Sequence, residues 1–279
     1  MVLMALSIDF SMCNPPFYES RAEMLTSATL KQRPPFTACT GSENEMVTPG
    51  GEVAFVSRMI EESLVLRDRV QWYTSMLGRF SSVAVLVQKL RDNGVDNYAI
   101  TEFVQGSKTR RWGIAWSFDD LRPVMSVARG LSSLQKSLLP FPSEYLIAVS
   151  SLSPHPDAIF TEAQSSSDPA RVGQRVNEVL SQLPLQWMWK ASISTGVGFS
   201  EKAVWSRASR REVARKQGDA MEEDDDPEMA FGFKLHVENP GGEAGANVTI
   251  RWLKGHDPVL FESFCGMLKR KLEESFNRK

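Results

Sequence analysis

The run Asn14-Pro15-Pro16-Phe17 combines residue types and spacing that suit a chemical step. The stretch before it, Leu3 to Cys13, is mostly apolar and is closed by two prolines. That pattern predicts a strand entering a rigid loop, because proline lacks the ladder donor and keeps its preceding residue out of the helical region. In an open α/β sheet the carboxyl end of a strand faces the ligand crevice, so this loop projects toward a substrate. The Asn14 side-chain carbonyl and the Pro15 backbone carbonyl are two acceptors, and the consecutive prolines hold them in fixed geometry. Such a pair suits methyl transfer to an exocyclic amine, whose lone pair is delocalised into its ring. Acceptors that hold both hydrogens tilt the nitrogen out of plane and free that lone pair. Phe17, or Tyr18 beside it, offers a ring on which a base taken out of its stack can rest. No strong general base is required, since the nitrogen gains acidity as it takes up the methyl group. A second pair, Arg33-Pro34-Pro35-Phe36, lies in a polar stretch and reads as loop punctuation.

Cations are the other chemistry-bearing groups. Net charge is -2 from 32 Lys+Arg and 34 Asp+Glu, so a nucleic acid would have to be met by local clusters rather than by the overall field. Lys108, Arg110 and Arg111 share one turn between two β-prone runs and suit phosphate contacts. Arg207, Arg210, Arg211, Arg215 and Lys216 form a second cluster, followed by the acidic run Glu222 to Asp226; opposite blocks side by side read as a solvated, disordered connection. Trp112 and Trp116 share strand parity and read as core. His155, His236 and His256 are scattered, and the cysteines (Cys13, Cys39, Cys265) have no CxxC spacing, so neither a zinc site nor a disulfide framework is indicated. No apolar run reaches the roughly 20 residues of a membrane-spanning helix.

The elements that must position these groups follow from periodicity. Val53, Val56, Met59, Ile60 and Leu64 lie on one helical face; Val70 to Leu77 is β-prone; Ser81 to Asn93 is a second helix stopped by Gly94. Tyr98 to Val104 and Trp112 to Phe118 are two further strands, and residues 19–51 read as a long loop. This order, strand, loop, helix, strand, helix and a closing hairpin, is the back half of a doubly wound α/β sheet. Residues 121–171, rich in Ser and Pro, read as a linker. Residues 172–279 read as a smaller α+β unit of order αββββα: Val172 to Leu183, then strands Leu185 to Ser192, Gly198 to Ser206, Ala230 to Val237 and Asn247 to Leu253, then an amphipathic helix Pro258 to Phe276. A disordered charged insert is expected over 207–227.

Four blocks carry a resemblance: Ile8 to Tyr18 (IDFSMCNPPFY), Gly50 to Arg58 (GGEVAFVSR), Trp72 to Gly78 (WYTSMLG), and Thr101 to Gly106 (TEFVQG) with Arg111 to Phe118 (RWGIAWSF). In order over residues 8–118, they resemble the methyltransferase-like protein 16 family of RNA adenine N6-methyltransferases, whose eukaryotic members act on U6 small nuclear RNA and similar hairpins. The resemblance implies that residues 1–120 are the C-terminal half of a Rossmann-like S-adenosylmethionine-dependent methyltransferase sheet. It implies that Asn14, Pro15, Pro16 and Phe17 form the catalytic loop, with Asn14 also touching the donor. It further implies RNA contacts at Tyr18, Lys108, Arg110 and Arg111, accessory contacts at Arg207, Arg210, Arg211, Arg215 and Lys216, and a nuclear or cytoplasmic protein. Loops of this kind also serve DNA adenine and protein glutamine methyltransferases; the Trp72 and Thr101 to Phe118 blocks argue against both.

Family members have a substantial stretch before this strand, with a glycine-rich turn for the donor. Here 13 residues precede Asn14, and Gly196-Val-Gly198 lies in the second unit without opening a helix. The expectation is therefore a chain without its donor-binding half, exposing one side of its sheet, poorly soluble and without donor binding on its own. A non-catalytic RNA-binding protein is the alternative reading.

Overall fold

The computed structural model describes residues 7–29, 42–105, 109–131, 133–150, 168–206, 209, 229–239 and 245–276. They fall into two units, Met1–Phe141 and Pro142–Lys279.

The first unit contains β1 (Ile8–Cys13), α1 (Arg21–Thr29), α2 (Glu43–Met46), α3 (Gly51–Leu66), β2 (Val70–Leu77), α4 (Phe80–Asp92), β3 (Tyr98–Gln105), β4 (Thr109–Trp116) and α5 (Met125–Ala128). Its sheet has the order β1-β2-β4-β3. β1 and β2 are parallel, which requires a crossover, and α3 lies on that connection. β4 is antiparallel to both neighbours, so β2 and β3 point the same way with β4 inserted between them.

Periodicity explains the packing. In α4, Val83, Leu86, Val87 and Leu90 follow helical spacing and are fully buried. Gly94 then ends the helix at φ 72°, a left-handed conformation open to glycine. In β2, Tyr73, Ser75 and Leu77 alternate onto the helix-covered face. Tyr73 stacks on Trp116 at 5.6 Å, and the Trp116 indole donates to the Ser63 hydroxyl of α3 at 3.0 Å. Each of these fully buried aliphatic side chains contributes about 1.5–3 kcal/mol relative to exposure. The opposite face carries an apolar hollow of about 360 Å³ lined by Met12, Met76, Ala99, Phe103, Gly113 and Val127. On β1, Ile8, Phe10 and Met12 are exposed.

The second unit contains β5 (Glu144–Ser150), α6 (Asp168–Ser181), β6 (Gln186–Lys190), β7 (Thr195–Ser200), β8 (Phe231–Glu238), β9 (Gly245–Lys254) and α7 (Pro258–Phe276). All five strands form one antiparallel sheet, β5-β9-β8-β7-β6. Phe231, Phe233, Leu235 and Val237 alternate onto one face of β8. There α7 packs Phe264 on Phe233 with ring centroids 4.1 Å apart. On the same face, Asn177 of α6 accepts a hydrogen bond from the Trp187 indole at 2.9 Å.

Several sequence expectations change. The stretch 121–171 is not wholly a linker: it supplies α5, which packs on β3, and β5, an edge strand of the second sheet. Tyr-Leu-Ile-Ala-Val is a short β-prone run whose partner β9 lies a hundred residues on, and the surrounding Ser and Pro hide it. The second unit thus reads βαββββα rather than αββββα. The 19–51 loop holds α1 and α2, and β7 starts at Thr195, before the expected Gly198. Trp116 is buried in the core as expected, while Trp112 is only partly buried beside Phe80. Val70–Leu77 and Pro258–Phe276 coincide with their expected limits.

Candidate active site

β1 delivers Asn14 to the carboxyl end of the parallel pair, where its side chain is exposed. Pro15 and Pro16 behind it are buried, and Phe17 and Tyr18 are half-buried. Proline suits that burial, since it brings no N–H that would be left unpaired. The neighbouring strand fixes the register: the Thr74 hydroxyl donates to the Ser11 carbonyl at 2.7 Å, and Cys13 lies opposite Ser75. Burial pushes the Cys13 thiol up from its ordinary range, against the pull of the Ser75 hydrogen bond.

Beyond Phe17 the chain is tied to residues 46–51. The Tyr18 N–H donates to the Met46 carbonyl at 3.1 Å, and the Thr48 N–H donates to the Tyr18 carbonyl at 2.9 Å. Gly50 and Gly51 then turn at φ 76° and 60°. A Cβ on Gly51 would stand 3.4 Å from the Phe17 carbonyl and 3.1 Å from Glu19 Cγ, so the close passage of the two segments needs glycine there.

The Phe17 ring lies between two elements. One edge faces Gly78, where a Cβ would come within 2.9 Å of Cδ1. The Arg111 guanidinium of β4 stands 5.7 Å from its centroid, a cation–π distance. The structure thus brings Phe17 and Arg111 together across 94 residues of sequence. Arg110, on the opposite strand face, pairs with Glu102 at 2.8 Å. Lys108 lies outside the described residues, as do Arg207, Arg210, Arg211, Arg215 and Lys216.

Sequence reasoning passed over two neighbours. Glu52 is 3% exposed, and its carboxylate accepts from the Gly78 N–H at 2.6 Å, the Arg79 N–H at 3.1 Å and the Ser82 hydroxyl at 2.6 Å. Gly78 leaves room for the Phe17 ring. The signal was a Gly-Gly-Glu run opening α3 and an arginine at the N-cap of α4, a residue that cannot cap.

Asn14 fits a place beside a methyl donor, being exposed at the strand's carboxyl end. Gly196 and Gly198 do not form a donor cradle: they lie inside β7, and Trp187 and Phe233 fill the space above them. Among the described residues no cluster of three His, Cys, Asp or Glu could hold a metal, and no helix is long and apolar enough to cross a membrane.

A mixed sheet with one parallel pair, an antiparallel strand between β2 and β3, and an Asn-Pro-Pro-Phe loop at the carboxyl end of β1 have the arrangement of part of a Rossmann-like sheet. Residues 4–120 match a protein family described as RNA methyltransferase. The chain is 34% identical over 271 residues to the U6 small nuclear RNA (adenine-(43)-N(6))-methyltransferase of Schizosaccharomyces pombe, covering 95% of this chain and 60% of that protein. It is 30% identical over 295 residues to RNA N(6)-adenosine-methyltransferase mettl16 of Danio rerio, covering 95% and 62%. It is also 42% identical to the crystallised hMettl16 catalytic domain in complex with MAT2A 3'UTR hairpin 1, covering 43% of each chain with a TM-score of 0.40. Residues 4–120 thus carry the match to an RNA methyltransferase family, and the chain is similar to methyltransferase-like 16 proteins. It spans about 60% of the length of the first two relatives.

Proposed function

We propose that the first unit is the amine-contacting part of an RNA adenine N6-methyltransferase acting on a structured RNA of the U6 type. The observation that carries the reading is the rigid Asn14-Pro15-Pro16-Phe17 loop at the carboxyl end of β1, with Arg111 drawn onto Phe17. Both relatives that align with 95% of this chain are named for N6 methylation of adenine or adenosine.

In this reading S-adenosylmethionine, when bound, supplies an electrophilic methyl group. The chain's own residues prepare the acceptor. Asn14 Oδ1 and the Pro15 carbonyl take the two hydrogens of the adenine amine and turn its lone pair out of the ring plane, so the amine is aligned before reaction. The buried prolines keep both oxygens from relaxing. Phe17, with Tyr18 beside it, stacks on the extruded base. Asn14 or the Pro15 carbonyl holds the departing proton until solvent takes it, which needs no strong base. Lys108, Arg110 and Arg111 meet phosphates of the same RNA. The second unit serves as an accessory RNA-binding domain, with Arg207, Arg210, Arg211, Arg215 and Lys216 as its backbone contacts. An RNA substrate of this type places the protein in the nucleus or cytoplasm.

The test is a chimera in which residues 8–118 replace the matching segment of the Schizosaccharomyces pombe relative. Incubated with labelled S-adenosylmethionine and a U6-type hairpin, it should place the label on adenosine N6. RNA that is bound but never labelled would instead support the non-catalytic reading.

A further inference from the structure

We infer that Glu52 is a positioning residue that sets the place of the Phe17 ring through the turn at Gly78 and Arg79. The inference rests on reading Asn14 to Phe17 as the amine-contacting loop. It starts from a defect in the local sequence. The first N–H groups of any helix lack partners within the helix, and a Ser, Thr, Asp or Asn at the N-cap ordinarily supplies one. In α4 that position is Arg79, which makes no side-chain cap. The turn before the helix is held from another element instead: Glu52, in the first turn of α3, takes the N–H groups of Gly78 and of the N-cap residue Arg79, and the Ser82 hydroxyl in the first turn of α4.

A buried carboxylate is costly unless its lone pairs are filled, so this arrangement demands a full set of donors. Three converge on it, and it sits at the amino ends of both α3 and α4, where the two helix dipoles favour a negative charge. A serine or aspartate at position 79 would reach the N–H groups of residues 81 and 82, not those of 78 and 79. What the longer reach adds is a tie between α3 and the turn after β2.

That tie ends at the site. Gly78, held through its own N–H by Glu52 Oε2, is the residue against which the Phe17 ring edge rests. Gly51, the neighbour of Glu52, passes beside the Phe17 carbonyl. Residues 51, 52 and 78 therefore hold Phe17 at both its ring and its backbone, and Arg111 stands over the ring. Movement of the Glu52 carboxylate shifts Gly78 and, with it, the surface the stacked base must find.

The experiment places a single 4-fluorophenylalanine at position 17 of the complete chain and follows its fluorine resonance. Glu52→Gln puts an amide donor where one backbone N–H needs an acceptor, and Ser82→Ala removes one of the three donors. Both should move the resonance by more than its line width in folded protein. Leu90→Ala, a comparable loss of buried contact two turns further along α4, should leave it in place. Gly78→Ala should move it too, since its Cβ would meet the Phe17 ring at 2.9 Å and Glu52 Oε2 at 3.1 Å. Should Glu52→Gln fail to fold, Ser82→Ala decides. An unmoved resonance in the folded Glu52 and Ser82 variants overturns the inference, as does an equal displacement by Leu90→Ala. A U6-type hairpin added to the wild-type chain separates the two readings. If RNA leaves the resonance unmoved while Glu52→Gln moves it, Phe17 is not a base contact, yet Glu52 still positions it.

Discussion

Arg110 and Arg111 are neighbours on one strand with different surroundings, and that difference has a measurable consequence. Arg110 turns to Glu102 across the hairpin and forms an exposed pair worth about 0.2–1 kcal/mol, so part of its charge is already answered. Arg111 turns to Phe17. Arg111→Ala should weaken RNA binding by roughly five- to tenfold and lower the salt slope by about one, the signature of one lost phosphate contact. Arg110→Ala should cost clearly less. Filter binding of a U6-type hairpin over a salt series checks this, and equal losses for the two variants would contradict it. Glu52 belongs to the same scale: its identity was plain in the sequence, but its role depends on Gly78 and Ser82, which lie 26 and 30 residues away.

At the scale of elements, β7 shows how a motif can mislead. Gly196-Val-Gly198 has the spacing of a nucleotide-binding turn, yet both glycines are inside a strand, covered by Trp187 and Phe233. Gly198→Ala forces its Cβ against the Phe233 ring and should destabilise the second unit by about 1–3 kcal/mol. A denaturant titration reads this as a lower midpoint for that unit, with RNA binding by the first unit unchanged. Lost RNA affinity without lost stability would make the pair a binding turn after all. Elements with a strong period were legible: α4 from its Val and Leu spacing, β2 from its alternation, α7 from its apolar stripe. β5 was not, because a seven-residue strand amid Ser and Pro has little local signal and owes its existence to pairing with β9. The loop at Asn14 was legible because proline acts through covalent geometry, which needs no partner. The contact of Phe17 with Arg111 and Gly78 was not, because it is made by the register of β4 and the turn after β2.

For the whole molecule, alkaline pH distinguishes native from unfolded chain. Burial pushes the Cys265 thiol in α7 from 9.0 up to about 12, and raises the Tyr73 and Tyr98 hydroxyls of the first unit as well. The unfolded thiol ionises near 9, while the native one keeps its proton, so its contribution is fully present below pH 9 and is lost as pH rises toward 12. Thermal melts of the complete chain should therefore be flat approaching pH 9 and fall steeply above it. Cys265→Ala should flatten that fall for the second unit and leave the first unit's pH dependence unaltered. An unchanged slope in the variant would show that the thiol is not held protonated.

The central claim concerns Asn14, and one measurement addresses it most directly. In the chimera carrying residues 8–118, Asn14→Ala should lower methyl transfer to the hairpin adenosine by about 10²–10³-fold, the scale of losing one aligned acceptor at the reacting atom. RNA affinity should stay within about twofold, because Asn14 acts on the amine as it reacts rather than on the bound RNA. A variant that loses RNA affinity and turnover in equal measure, or that transfers methyl at the wild-type rate, would contradict the account.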